Sequence, residues 1–111
     1  MDVVSCIGSG NATIESAAPY RNSRKGREGG GGCQIDLLVQ TPKTAYVVEV
    51  KRKNYIDADV ENEVRQKIRR LPLRAGMSVR PVLVYAGELA KSVEADGYFD
   101  AIIPARRLLG I

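Results

Sequence analysis

Asp36, Glu49 and Lys51 are the residues of this chain whose types and spacing could do chemistry together. They lie in "IDLLVQTPKTAYVVEVKRK", residues 35–53, which reads as two apolar runs around a turn containing Pro42. A hairpin centred on "TPKT" pairs Thr41 with Thr44 and Gln40 with Ala45. Carried on, that register sets Asp36 opposite Glu49 and Gln34 opposite Lys51. Side chains alternate between the two faces of a strand. Gln34, Asp36, Glu49 and Lys51 are therefore expected on one face, with Ile35, Leu37, Val39, Tyr46, Val48 and Val50 on the other as core. Directly opposed Cβ atoms lie roughly 4.5–5.5 Å apart, a separation at which two carboxylates repel. A cation between them removes the repulsion. An oxygen-only pair suits Mg²⁺, Mn²⁺ or Ca²⁺ better than zinc. Mg²⁺ held by one or two carboxylates keeps open positions for a phosphate oxygen and an attacking water. The chemistry expected is hydrolysis of a phosphodiester, with Lys51 positioning or deprotonating the water or stabilising the phosphorane. The plainer alternative is a solvent-facing hairpin in which Lys51 pairs with Asp36 or Glu49, an arrangement worth little in water.

Composition narrows the choice further. The chain has no histidine, so His-based triads, His general bases and His-ligated metals are excluded. Its 111 residues suit one domain, 1–111, and 27% charged residues is an ordinary globular share. No apolar run is long enough to span a bilayer, so no membrane partner is expected. "MDVVSCIGSG" carries no basic segment of the kind that opens a secretory signal, and Cys6 and Cys33 form no CxxC pair. A cytoplasmic setting with reduced thiols follows as the expectation. "GSGNAT", residues 8–13, lacks the third glycine of a dinucleotide fingerprint, and no GxxxxGK[ST] is present, so ATP binding is not expected.

The net charge of +4 is unevenly placed. Arg21, Arg24, Lys25 and Arg27 stand in "RNSRKGREGGGG", residues 21–32, which has no apolar periodicity and ends in four glycines. This segment is expected to be a mobile basic loop whose cations could grip phosphates. Tyr20 beside it could stack on a base.

Several elements must position these residues. Residues 2–7 read as a strand or as the tail of an element outside this chain, 13–18 as a short strand, and 33–40 and 45–51 as the two arms of the hairpin. Residues 57–71 read as a helix, with Val60, Val64, Ile68 and Leu71 on one stripe. Asp57 or Asp59 could cap its start, Glu61–Arg65 and Glu63–Lys67 are i,i+4 pairs, and Pro72 ends it. The near-continuous apolar run at 79–87 reads as a strand covered on both faces. Residues 98–104 read as a last strand and "ARRLL" as a terminal helical turn. The helix between strands 45–51 and 79–85 implies a parallel, right-handed crossover. The class is thus α/β, with a mixed central sheet, an antiparallel hairpin, a βαβ crossover and flanking helices. Three accessory candidates follow. Glu15 on the 13–18 strand could add a third carboxylate, Gln34 could hold Lys51 or a phosphate, and Lys67 on the border of the helix stripe could reach the site.

"ID", twelve residues, then "EVK" resembles the motif of the PD-(D/E)xK nuclease superfamily. Asp36, Glu49 and Lys51 fall on its three positions, and Ile35 replaces the motif's proline. "GCQIDLLVQT", "YVVEVK", "VRPVLVY" and "EADGYFDAIIP" resemble, more narrowly, the C-terminal nuclease-like domain of prokaryotic AAA-type ATPases over residues 14–109. The resemblance implies a restriction-endonuclease-like core. It implies catalysis by Asp36, Glu49 and Lys51, and Mg²⁺ or Mn²⁺ held by Asp36, Glu49 and Val50, the last with only main-chain atoms to offer. It also implies a nucleic-acid substrate, expected to be DNA, pairing into a homodimer, and an ATPase module as partner in a longer parent protein. Two function classes stand side by side: a metal-dependent (endo)deoxyribonuclease, and an inactive nuclease-like module that binds nucleic acid or a partner.

Overall fold

The structure, a computed structural model, describes residues 13–22 and 33–108. Five strands form one mixed sheet in the order β1-β2-β3-β4-β5, with β1 at Ser16–Asn22, β2 at Cys33–Gln40, β3 at Thr44–Ile56, β4 at Ser78–Leu89 and β5 at Ala101–Pro104. β1, β2 and β3 are antiparallel neighbours, while β3, β4 and β5 run parallel. Helix α1 (Asp59–Arg69) makes the β3-to-β4 connection, α2 (Lys91–Asp96) precedes β5, and α3 (Ala105–Leu108) follows it.

The turn between β2 and β3 fixes the register. The buried Thr41 donates its N–H to the Thr44 carbonyl at 2.8 Å, and its hydroxyl accepts the Thr44 N–H at 3.0 Å. The pairs Gln40–Ala45 through Leu37–Val48 follow in the expected register. Helix α1 forms on the expected stripe, with Val60 and Val64 buried beneath it. Asp57 caps from just outside, its Oδ1 accepting the Asp59 N–H at 3.0 Å. The helix stops at Arg69, ahead of Pro72.

Two apolar layers hold the sheet. Under α1 and α2 lie Leu38, Ala45, Val47 and Leu83, with Val93 of α2 packed on them. On the opposite face lie Val39, Tyr46, Val48, Val82 and Val84, with Ala105 and Leu108 of α3 against them. β4 contributes to both layers, which is why Val82–Val84 is apolar without alternation.

Some boundaries differ from expectation. The first strand lies at 16–22, not 13–18, and the last at 101–104, not 98–104. α2 was not expected, because six residues hold too little periodicity to announce a helix. It ends at Gly97, whose φ of 64° is left-handed. The strand expected at 2–7, most of the basic loop expected at 21–32, and Cys6 lie outside the described residues. Among the described residues, no helix is long and apolar enough to cross a membrane.

A candidate metal centre where β2 and β3 part

The alternation expected along β2 is broken. From Ala18 to Tyr20, β1 advances two residues while β2 advances three, from Leu38 to Ile35. β2 thus carries one extra residue at Asp36–Leu37, a β-bulge. The bulge corrects two expectations. Ile35 packs under α1 with Leu38 and Val47, not on the opposite face with Leu37 and Val39. Gln34, between the buried Cys33 and Ile35, is exposed and turned away from the α1 side, so it does not face Lys51.

β2 pairs with β3 from Gln40–Ala45 to Leu37–Val48. Just beyond, the Asp36 side chain takes over: its Oδ2 accepts the Val50 N–H at 2.8 Å. In an extended strand the N–H and C=O of one residue point to the same side. The Val50 carbonyl therefore opens toward Asp36 as well. Val50 itself is 43% exposed and is not the core residue its place in the apolar run suggested.

Glu49 and Lys51 continue the α1-facing side of β3 after Ala45 and Val47. Glu49 is only 3% exposed. Its Oε1 accepts a hydrogen bond from Lys67 Nζ at 2.9 Å. Its Oε2 lies 2.8 Å from the same ammonium but has no donor aligned on it. Lys51 turns to Glu63 instead of Asp36 or Glu49. The cross-over has a geometric cause. Four residues of helix rise about 6 Å and two of strand about 6.6 Å. Glu63 and Lys67 on α1 thus match Lys51 and Glu49 on β3, and the four charges alternate in sign. The expected Glu63–Lys67 pair on the helix gives way to these two contacts with the sheet.

Burial, first, and the neighbouring Asp36 carboxyl, second, push the Glu49 carboxyl above its ordinary range, and Lys67 partly offsets them. Asp36 thus remains a neighbour of Glu49 despite the bulge. The hydrogen bond to Glu63 raises Lys51, which favours its ammonium form.

The donor set suits a hard cation: two neighbouring carboxylates, one with a buried oxygen lacking an aligned donor, and the Val50 carbonyl on the Asp36 side of β3. Among the described residues no three His, Cys, Asp or Glu side chains cluster to hold a metal, so water would complete the shell.

Glu15 stands elsewhere. Its N–H donates to Gln40 and its carboxylate pairs with Arg74 at 3.1 Å, at the turn end of the hairpin, so it adds no third carboxylate. Lys67 is at the site, as its position on the helix border suggested. Glu63 was the residue missed. Its signal was the matched spacing of "ExK" on the strand and "ExxxK" on the helix. Arg21 is exposed at the end of β1, paired in register with Gln34. Tyr20 is partly buried against the α1-side core. Arg24, Lys25 and Arg27 lie outside the described residues.

A second bulge flanks the centre. Between Arg52 and Tyr55, β3 gains one residue on β4. Gly87 permits it: a Cβ there would lie 1.6 Å from the Lys53 carbonyl oxygen, and its φ is 116°. The exposed Arg52, Lys53 and Tyr55 follow from this end of β3.

Comparison with protein-family models, curated proteins and solved structures finds no match.

Proposed function

We propose that this chain is a metal-dependent nuclease domain with a restriction-endonuclease-like core, hydrolysing phosphodiester bonds of DNA. The observation that carries the reading is the Asp36 carboxylate on the Val50 N–H, one residue along β3 from the buried Glu49 and from Lys51. Asp36, Glu49 and the Val50 carbonyl would hold Mg²⁺ or Mn²⁺. Such an ion supplies an acidified water and charge stabilisation at the phosphoryl group. Asp36 and Glu49 give the site its negative charge and fix its place at the fork. Lys51, kept protonated by Glu63, is suited to stabilise charge on the phosphorane and not to remove a proton from water. The exposed Arg21, Arg52 and Lys53 offer cations to the backbone of a nucleic acid.

The second reading, an inactive nuclease-like module that binds nucleic acid or an ATPase partner, draws on one observation. The ion pairs Lys67–Glu49 and Lys51–Glu63 already neutralise all four of these charges on the β3 and α1 faces in pairs that need no metal.

The test is nicking of supercoiled plasmid and degradation of single-stranded DNA with Mg²⁺, Mn²⁺ or chelator. Wild type should cleave only with metal. Asp36→Ala and Glu49→Ala should lose metal binding and cleavage, and Lys51→Ala should keep the metal yet slow by roughly a hundredfold or more. Equal trace activity in all four proteins would remove the nuclease reading in favour of the binding module.

A further inference from the structure

We propose that Lys67 is the resident counter-cation of this centre and exchanges with the divalent ion, leaving Glu49 when the metal arrives. The inference rests on the proposed metal site. Both Glu49 oxygens lie within 2.9 Å of Lys67 Nζ, so the ammonium occupies the approach a metal would use. A carboxylate–metal bond is about 2.1 Å. At that length the ion and an unmoved ammonium would share the same oxygens as like charges. One of them has to leave, and Lys67 is built to do so.

Its main chain is anchored, because its carbonyl accepts a hydrogen bond from the Cys33 thiol at 3.3 Å. Its side chain is 28% exposed and has four methylenes to swing on. Glu49, in contrast, is buried and cannot follow. The exchange also explains how two adjacent carboxylates persist without metal: Lys67 neutralises the buried one. Displaced from Glu49 but tethered by α1, the ammonium stays beside the site. Lys67 is thus a positioning residue that sets metal affinity, and its contribution is an opposing one.

The test compares wild type, Lys67→Met and Lys67→Arg by isothermal titration with Mn²⁺ and by thermal melting in chelator and in Mn²⁺. Lys67→Met keeps the stem and removes the charge. It should bind Mn²⁺ roughly ten- to a hundredfold more tightly, the worth of a charge-assisted hydrogen bond no longer broken. It should melt lower than wild type in chelator and gain more from Mn²⁺. Lys67→Arg should stay within about threefold of wild type, since it retains the competing charge. A purely structural ion pair would lower the melting temperature without tightening the metal. Should Lys67→Met not fold, Lys67→Gln carries the same expectations. Wild type binding Mn²⁺ with Lys67→Met equal or weaker overturns the exchange and leaves the metal site standing. No Mn²⁺ binding by any of the proteins overturns both.

Discussion

Replacing Asp36 by Asn tests the centre without touching its fold. Asn keeps an oxygen to accept the Val50 N–H, a contact of 2.8 Å in the wild type. It removes the charge that stands beside the buried Glu49. At about 5 Å, two unit charges interact by roughly 0.8 kcal/mol in water and roughly 3 kcal/mol at an effective dielectric of 20. Lys67 compensates part of this, so the lower end applies, about 1 kcal/mol. For a domain of this size that is a rise of about 4 °C in melting temperature in chelator.

Metal reverses the ranking. At a hundredfold excess over Kd, a bound divalent ion adds about 2.7 kcal/mol to wild type by linkage. Asp36→Asn should gain almost nothing, because an amide oxygen is a poor substitute for a carboxylate in a two-carboxylate site. Asp36→Ala separates the two effects. It relieves the same repulsion but leaves the Val50 N–H to water, so it should melt below Asp36→Asn in chelator by the worth of one exposed hydrogen bond, about 0.5–1 kcal/mol. Scanning calorimetry of the three proteins in chelator and in millimolar Mg²⁺ or Mn²⁺ reads all of this. If Asp36→Asn melts below wild type in chelator, and wild type ignores both ions, the reasoning from facing carboxylates to a shared cation is refuted.

Three further outcomes are expected. Gly87→Ala should destabilise by roughly 3 kcal/mol or more, since its Cβ would collide with the Lys53 carbonyl and its φ of 116° disfavours any side chain; a denaturant midpoint unchanged from wild type would show that β3 and β4 can separate there at no cost. Glu61, buried and beside Asp96, has its carboxyl raised first by burial and then by that neighbour. Its contribution to stability is full below the ordinary carboxylate value of 4.5 and is lost as pH rises through the raised one. Glu61→Gln should therefore flatten part of the decline in stability above pH 4.5 and stabilise at neutral pH by about 1 kcal/mol, read from urea midpoints across pH. Neutralising Arg21, Arg24, Lys25 and Arg27 together should weaken DNA binding about equally for all sequences and flatten its logarithmic salt dependence by ~0.9 per lost phosphate contact; an unchanged slope assigns those residues to something other than phosphate.

The mixed α/β sheet was legible in the sequence wherever a local rule governed the outcome. "TPKT" closes a tight turn, so the hairpin register followed from counting outward, and the pairs from Gln40–Ala45 to Leu37–Val48 obey it. The stripe Val60, Val64, Ile68 needed only the helical period, and the parallel placement of β4 beside β3 needed only the length of the connection. What failed was the assumption that alternation persists to the end of β2. The extra residue at Asp36–Leu37 moves Ile35 to the α1 side and takes Gln34 from the site. Nothing in "CQIDLLVQ" marks a bulge, because no glycine or proline punctuates it. Glu15 failed for a different reason: counting along its own strand gave no information on which end of the hairpin it would meet.

Of the candidate site, the neighbourhood of its residues was legible and their ion-pair partners were not. One-dimensional spacing brought Asp36 beside Glu49, yet it assigned Lys51 to the carboxylates and Glu63 to Lys67. Both assignments treat each element alone. Once α1 lies on β3, the near-equal rise of four helical and two strand residues makes the pairs across the layers better matched than the pairs within them. Lys51 is drawn to Glu63 and Glu49 to Lys67. The consequence bears on chemistry. With Lys51 held by Glu63, the cation nearest the buried carboxylate comes from the helix and not from the strand motif. Metal affinity should therefore answer more to a change at Lys67 than to one at Lys51, although only Lys51 belongs to the "ExK" pattern.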